Sequence, residues 1–282
     1  MKKLKALATS IALATLAASS IASATVAATA ATGTANDREG VFYDAAIEHQ
    51  PADGVIRLYG PGGPHTALIK VAEAYEKKTG KKVEVIFGPE TKWTHDAQAK
   101  ADIIFGASEQ SITAYLENYH FISEKDVQPV YLRRATIAVK EGNPKDIQGF
   151  DDLLKPGIKV VVTEGKGVYN TSGTGLWEDI AGREGSLQDI QKLRKNIVAF
   201  EKGSGAAFKA FDKKADAWIT WIDWPLANSS KVDYVELEKT RTIYRDMNIA
   251  VSPKADPATA DFVKFLNSSE GEKLVATLGW TR

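Results

Sequence analysis

The 282-residue chain contains no cysteine. That absence excludes a disulfide scaffold, cysteine-ligated zinc, iron–sulfur clusters, a thiol nucleophile and a lipid-modified cysteine. An excess of either charge is missing too, since 36 Lys and Arg are matched by 36 Asp and Glu. A nucleic-acid partner is therefore not expected, because such binders need clustered basic charge to displace counterions. No run after the N-terminal segment approaches the length of a membrane span, so no stable membrane insertion is expected. Enzyme signatures are also absent: there is no GxGxxG fingerprint, no Gly-Lys-Ser/Thr phosphate loop and no GxSxG elbow. His49, His65, His95 and His120 have no i, i+4 partner and no acidic triplet at metal spacing. No catalytic residue, metal or cofactor is assigned.

What is present is apolar and aromatic surface. Hydrophobic residues make up 44% of the chain, with six Trp, nine Tyr and ten Phe, enough to offset the entropy of ordering. At about 150 residues per domain there is room for two. Met1 to Ala24 reads as a secretory signal peptide. Lys2, Lys3 and Lys5 form its basic region, Ala6 to Ala18 its apolar region, and Ala22-Ser23-Ala24 its cleavage pattern. Removing it takes three lysines and no acid, which leaves a net charge of −3. Residues 25–52 form a leader segment without hydrophobic pattern at its start.

From Gly54 the chain alternates strands and helices in units of about 25 to 30 residues, the pattern of an open parallel α/β sheet. Val55 to Tyr59, Lys82 to Phe87 and Ala101 to Phe105 read as strands. Helices follow the first and third of them. Val130 to Val139 is one long β stretch. A second α/β block follows, with strands at Ile158 to Thr163 and Asp216 to Ile222, then extended runs at Val232 to Leu237 and Thr242 to Val251. Helices close the chain, from Pro257 to Leu266 and from Ser269.

Three glycine-rich loops lead into helices: Gly60-Pro61-Gly62-Gly63-Pro64-His65, Thr171-Ser172-Gly173-Thr174-Gly175 and Gly203-Ser204-Gly205-Ala206. Glycine permits close backbone approach, and a helix start offers unpaired N–H groups with partial positive charge. Together they point to a shared anionic ligand. Arg133 and Arg134 lie within the long β stretch, where neighbours face opposite ways, so at most one of them faces a given cleft. Arginine is suited to bidentate recognition of carboxylate, sulfate or phosphate.

The order of these pieces resembles the type II periplasmic solute-binding proteins. Asn248-Ile249-Ala250-Val251-Ser252-Pro253, Ala260 to Leu266, Ser269-Glu270-Gly271 and Gly279-Trp280 form the ending typical of that group. Within it the chain is similar to the sulfate/molybdate-type binders, and in particular to the accessory colonisation factor C group. The words that carry this are Tyr59 to Pro64, Phe87-Gly88-Pro89-Glu90 with Trp93, Ala101 to Glu109, Gly142-Asn143-Pro144, Thr174 to Asp179 and Asp216-Ala217-Trp218.

The resemblance, over residues 53–282, implies an α/β fold of two lobes, each an α/β sandwich, joined by two crossover segments. Lobe one would comprise residues 53–135 and 236–282, and lobe two residues 136–235. It implies a periplasmic protein that closes on a small oxyanion or organic acid and serves an ABC permease. Carried over by position, the ligand groups would be Gly62, Gly63, His65, Thr91, Lys92 and Ser108 from lobe one. Arg133 would act at the crossover, and Thr174, Gly175 and Ser204 from lobe two. The polar Asn170-Thr171-Ser172-Gly173 and the charged Arg134 depart from the group's pattern. Two other readings share this sequence: an adhesin or colonisation factor on the same scaffold, and a secreted hydrolase with Ser172 as nucleophile.

Overall fold

The computed structural model describes residues 43–164 and 172–282. The signal peptide and the polar residues Asn170 and Thr171 lie outside the described residues. Lobe one begins with β1 (Val55–Gly60), α1 (His65–Thr79), β2 (Lys82–Phe87), α2 (Thr94–Lys100), β3 (Ile103–Gly106) and α3 (Glu109–Asn118). Strand β4 (Val127–Lys140) then runs out into lobe two. There follow β5 (Val160–Thr163), α4 (Leu176–Gly182), α5 (Leu187–Asn196), β6 (Ile197–Glu201) and α6 (Ser204–Lys214). Next come β7 (Ala217–Trp221), α7 (Asp223–Ala227) and β8 (Val232–Glu236). The chain returns to lobe one through β9 (Tyr244–Val251), α8 (Thr259–Leu266), α9 (Ser269–Ala276) and β10 (Trp280–Thr281).

The sheet is mixed, not uniformly parallel. β1 pairs in parallel with β2 and β3, and β5 does so with β6 and β7, as strand–helix–strand units require. β9 lies antiparallel to β3 and β4, because the returning chain meets the outgoing strand head-on. β4 is shared between the lobes. Its residues from Val127 to Arg134 pair with β9, and those from Ala135 to Lys140 pair with β7 and β8. The passage between lobes thus falls at Arg134 and Ala135, and the return runs through residues 237–243.

Each lobe buries apolar side chains on both faces of its sheet. In lobe one, Leu68, Val71 and Tyr75 of α1 join Phe262 of α8 over one face, and Ile112 and Tyr115 of α3 pack with Trp93 over the other. In lobe two, Phe150, Ile180 and Leu193 cover one face and Phe211 and Trp218 the other. Two elements escape the periodicity argument. α2 is short and polar, and β6 is a five-residue strand at the sheet edge. The end of the leader is packed against lobe one: Asp44 N donates to Gln98 Oε1 at 2.9 Å, and Gln50 N to the Ala99 carbonyl at 2.8 Å.

Candidate ligand-binding site

Alternation along β4 sends its adjacent arginines to opposite faces. Arg134 turns outward, where Nε donates to Glu236 Oε2 at 2.8 Å and Nη2 to Glu236 Oε1. Arg133 turns inward and is 1% exposed. Its Nη1 donates to both carboxylate oxygens of Asp223 at 2.8 Å. Its Nη2 donates to Ser172 Oγ at 2.9 Å and to the Ala107 carbonyl at 3.3 Å. Trp221 and Trp280 flank the guanidinium, with ring centroids 5.1 Å and 4.8 Å from its carbon. Asp223, Trp221 and Ser172 belong to lobe two, whereas Ala107 and Trp280 belong to lobe one. A single side chain therefore ties the lobes together.

A buried charge is costly unless it is paired and fully bonded. Burial pushes the Asp223 carboxyl up, and the Arg133 charge pulls it back. The contact of Nη1 with both Asp223 oxygens, together with the two ring faces, compensates the guanidinium charge.

Of the expected ligand groups, Gly63 lies directly against this centre. A Cβ there would stand 2.7 Å from Arg133 Nη1, so the close approach requires glycine. At Gly62 a Cβ would meet open space. His65 opens α1 with its ring stacked on Phe87, centroids 3.8 Å apart, and burial lowers its pKa. Ser108 is buried and caps α3: its Oγ accepts from Ser111 N at 3.3 Å, and Ser108 N donates to Ser111 Oγ at 3.1 Å. That hydroxyl serves a capping box, while the carbonyl before it faces Arg133.

Thr174 lies two residues beyond Ser172, and its buried Oγ1 has no hydrogen-bond partner. Gly175 takes a left-handed conformation, φ 71°, to start α4. Thr91 and Lys92 are exposed on a short 3-10 turn after β2, and Ser204 is half-buried at the start of α6. Among the described residues, no hydrogen bond, ion pair or ring contact joins Thr91, Lys92 or Ser204 to Arg133.

Several contributors carried weaker signals in the sequence. Asp223 is the acid that follows Trp218-Ile219-Thr220-Trp221-Ile222, a place where a carboxylate would be buried beside apolar neighbours. Trp280 and Trp221 read as core aromatics, and they are buried, but they also sandwich a cation. Arg245 on β9 stands in register opposite Arg133. At the centre, Arg133 Nε and the Nε1 atoms of its flanking Trp221 and Trp280 are buried polar atoms without a protein partner, and Thr66 Oγ1 and Thr174 Oγ1 are buried and unpartnered elsewhere in the structure. Buried polar groups are nearly always bonded, so each of these unpartnered atoms is a departure from the usual pattern. Among the described residues, no group of three His, Asp or Glu is placed to hold a metal ion, and no helix is long and apolar enough to cross a membrane.

The sequence matches the family of bacterial extracellular solute-binding proteins over residues 56–281. A sulfate-binding protein of Escherichia coli (strain K12) is 24% identical over 204 residues, which is 63% of this chain and 61% of that protein. The chain thus spans about three-fifths of the length of the curated relatives it matches first. Among solved structures, Peb3 from Campylobacter jejuni is 42% identical, with a TM-score of 0.75 over 80% of this chain and 99% of that one. PEB3 bound to L-phospholactate gives 44% identity and a TM-score of 0.76 at the same coverage. The sulfate-binding protein SubI from Mycobacterium tuberculosis H37Rv shares the fold at 19% identity, with a TM-score of 0.66 over 81% of this chain and 86% of that one. With two lobes, a shared long strand and a buried centre between them, the chain belongs to the bacterial extracellular solute-binding proteins, in their type II, sulfate/molybdate-type group.

Proposed function

We propose that the protein captures a small oxyanion or organic acid between its lobes in the periplasm and delivers it to the permease of an ABC importer. The observation that carries this reading is the Arg133 centre, where residues of both lobes converge on a buried, paired charge. Relatives named for sulfate, molybdate and thiosulfate binding support an oxyanion, and PEB3 with L-phospholactate supports an organic acid.

The mature chain is slightly acidic, so its overall field does not attract an anion. Local donors must do so. In this reading Arg133 organises the cleft, and Thr66, Thr174 and the backbone at the Gly63 turn replace the ligand's water shell. A ligand that touches both lobes binds the closed form better than the open one, and so stabilises closure. The hinge would lie where β4 leaves one sheet for the other, with the return segment as its second strand. The role is capture, not catalysis: Ser172 Oγ accepts a hydrogen bond from Arg133, a partner that cannot remove its proton.

A thermal-shift screen of residues 25–282 against sulfate, molybdate, inorganic phosphate, L-phospholactate and citrate tests the reading. A ligand at a hundred times its Kd adds about 2.7 kcal/mol, which raises the melting temperature by roughly 5–10 °C for a chain of this size. If no anion moves the melting temperature, the reading fails.

A further inference from the structure

The return segment at residues 237–243 carries a second buried arginine, and anion capture makes no use of it. Arg241 is 3% exposed. Its Nη1 donates to the Ile180 carbonyl at 2.9 Å and to the Ala181 carbonyl at 3.1 Å, both in the last turn of α4. Its Nη2 donates at 3.0 Å to Glu184 Oε2, just beyond α4, and at 3.0 Å to Asp189 Oδ2 of α5. The guanidinium carbon stands 4.1 Å from the centroid of the Phe150 ring. Every one of these partners belongs to lobe two. The last carbonyls of a helix have no partner within it and attract a cation, and the arginine fork serves several acceptors at once.

Neighbouring residues of the return are fastened to the same lobe. Glu238 Oε1 accepts from Phe150 N at 3.1 Å, and Thr240 Oγ1 donates to Glu184 Oε1 at 2.6 Å. Arg241 N and Thr242 N both donate to the Glu238 carbonyl, at 2.9 Å and 3.0 Å, which folds the segment into a turn. Leu237 and Ile243, at its two ends, pack with the apolar core of lobe two. The next residue, Tyr244, already pairs with Arg134. On β4 the change of lobe falls between Arg134 and Ala135, and Ala135 N donates to the Ile243 carbonyl at 2.8 Å. The two crossings therefore change lobe side by side, at the same level.

We propose that Arg241 clamps the return segment to lobe two, so that lobe motion is confined to one narrow joint, Arg134–Ala135 with Ile243–Tyr244. The inference rests on the lobe closure of the reading above and adds the residue that sets how freely the lobes swing. A return segment loose along its whole length would let the open lobes take many relative orientations, and ordering them on closure opposes binding. With the segment held, the lobes turn about a short axis and present the cleft in few arrangements. Arg241 is a positioning residue: it acts on ligand affinity without touching the ligand.

Because the chain has no cysteine, two nitroxide spin labels can be placed uniquely, at Lys77→Cys on α1 and Lys209→Cys on α6, both exposed. Pulsed dipolar distance measurement on this pair, without ligand, reads the spread of lobe orientations, and hydrogen exchange reads the return segment. With Arg241 in place, a narrow distance distribution and protected Arg241 and Thr242 amides are expected. Arg241→Met should broaden the distribution and speed exchange of those amides at least about tenfold, because hydrogen bonds to charged groups are lost, while β5 and β7 keep their protection. Arg241→Lys should lie between the two. Glu184→Gln, at a side chain 47% exposed, should shift both readouts the same way by less, and it decides the matter if Arg241→Met does not fold. An unchanged width in the variants that fold overturns the clamp, as does wild-type exchange at residues 238–242 as fast as in an unstructured chain. Protection lost evenly over lobe two at unchanged width would make Arg241 a fold-stabilising residue only, and overturns it too. Neither measurement contains ligand, so a failed anion screen would overturn capture of those anions and leave the clamp standing.

Discussion

Arg133 and Arg245 are cross-strand neighbours in one cleft, yet the chain treats their charges in opposite ways. Arg133 is enclosed by a carboxylate, a hydroxyl, a carbonyl and two indoles. Arg245 has two ion-pair partners, Glu109 at 3.8 Å and Asp179 at 3.9 Å, and no guanidinium hydrogen bond among the described residues. The difference lies in how far each charge is enclosed by the protein's own groups. Both terminal nitrogens of Arg133 are held by protein groups, whereas Arg245 faces its acids across more than hydrogen-bond length. Residue type alone does not distinguish these roles, because both arginines sit in extended, partly apolar runs.

The largest effect should follow from unpairing the enclosed arginine. Asp223→Asn leaves the Arg133 charge buried without its counterion, and urea denaturation should show a loss of about 3–5 kcal/mol. Replacing both members, as Arg133→Met with Asp223→Leu, should recover most of that loss. A stable Asp223→Asn variant would break the architectural half of the comparison. A smaller effect is expected at the turn that presses on the guanidinium. Gly63→Ala should cost about 1–3 kcal/mol through overpacking, whereas Gly62→Ala, with open space around its Cβ, should stay within about 0.5 kcal/mol. If Gly63→Ala melts like the wild type, the guanidinium can move aside and is less rigidly held than its contacts imply. The smallest effect belongs to Arg245. Arg245→Gln should alter folding stability by less than about 0.5 kcal/mol, as loose, partly exposed ion pairs contribute little. A loss near that of Asp223→Asn would make Arg245 a second structural arginine.

Most of the fold was legible because its elements are strongly patterned. The α1 run places Leu68, Val71, Ala72 and Tyr75 on one buried face, and Val160 to Thr163 is apolar enough to be an interior strand. The antiparallel pairings were not legible. Periodicity shows that Tyr244 to Val251 is extended but is silent on which way its partner runs.

The candidate site was read less evenly. The Gly63 turn and Arg133 stand out locally, one as a glycine-rich helix start and the other as an inward charge on a long strand. Asp223, Trp280 and Arg245 acquire their meaning only across lobes or across strands, through contacts far apart in sequence. Ser108 illustrates the reverse, since its serine-at-a-helix-start pattern is accounted for by helix capping.

Trp280 closes one face of Arg133 from a position separated from it by more than half of the chain. Contacts of such separation form only after the loop between them has been closed, which slows the search for the native state. Until β10 pairs with β4, the Arg133–Asp223 ion pair has Trp221 on one side of the guanidinium and lacks the second indole. The enclosure of Arg133 is therefore completed by a pairing far apart in sequence, that of β10 with β4.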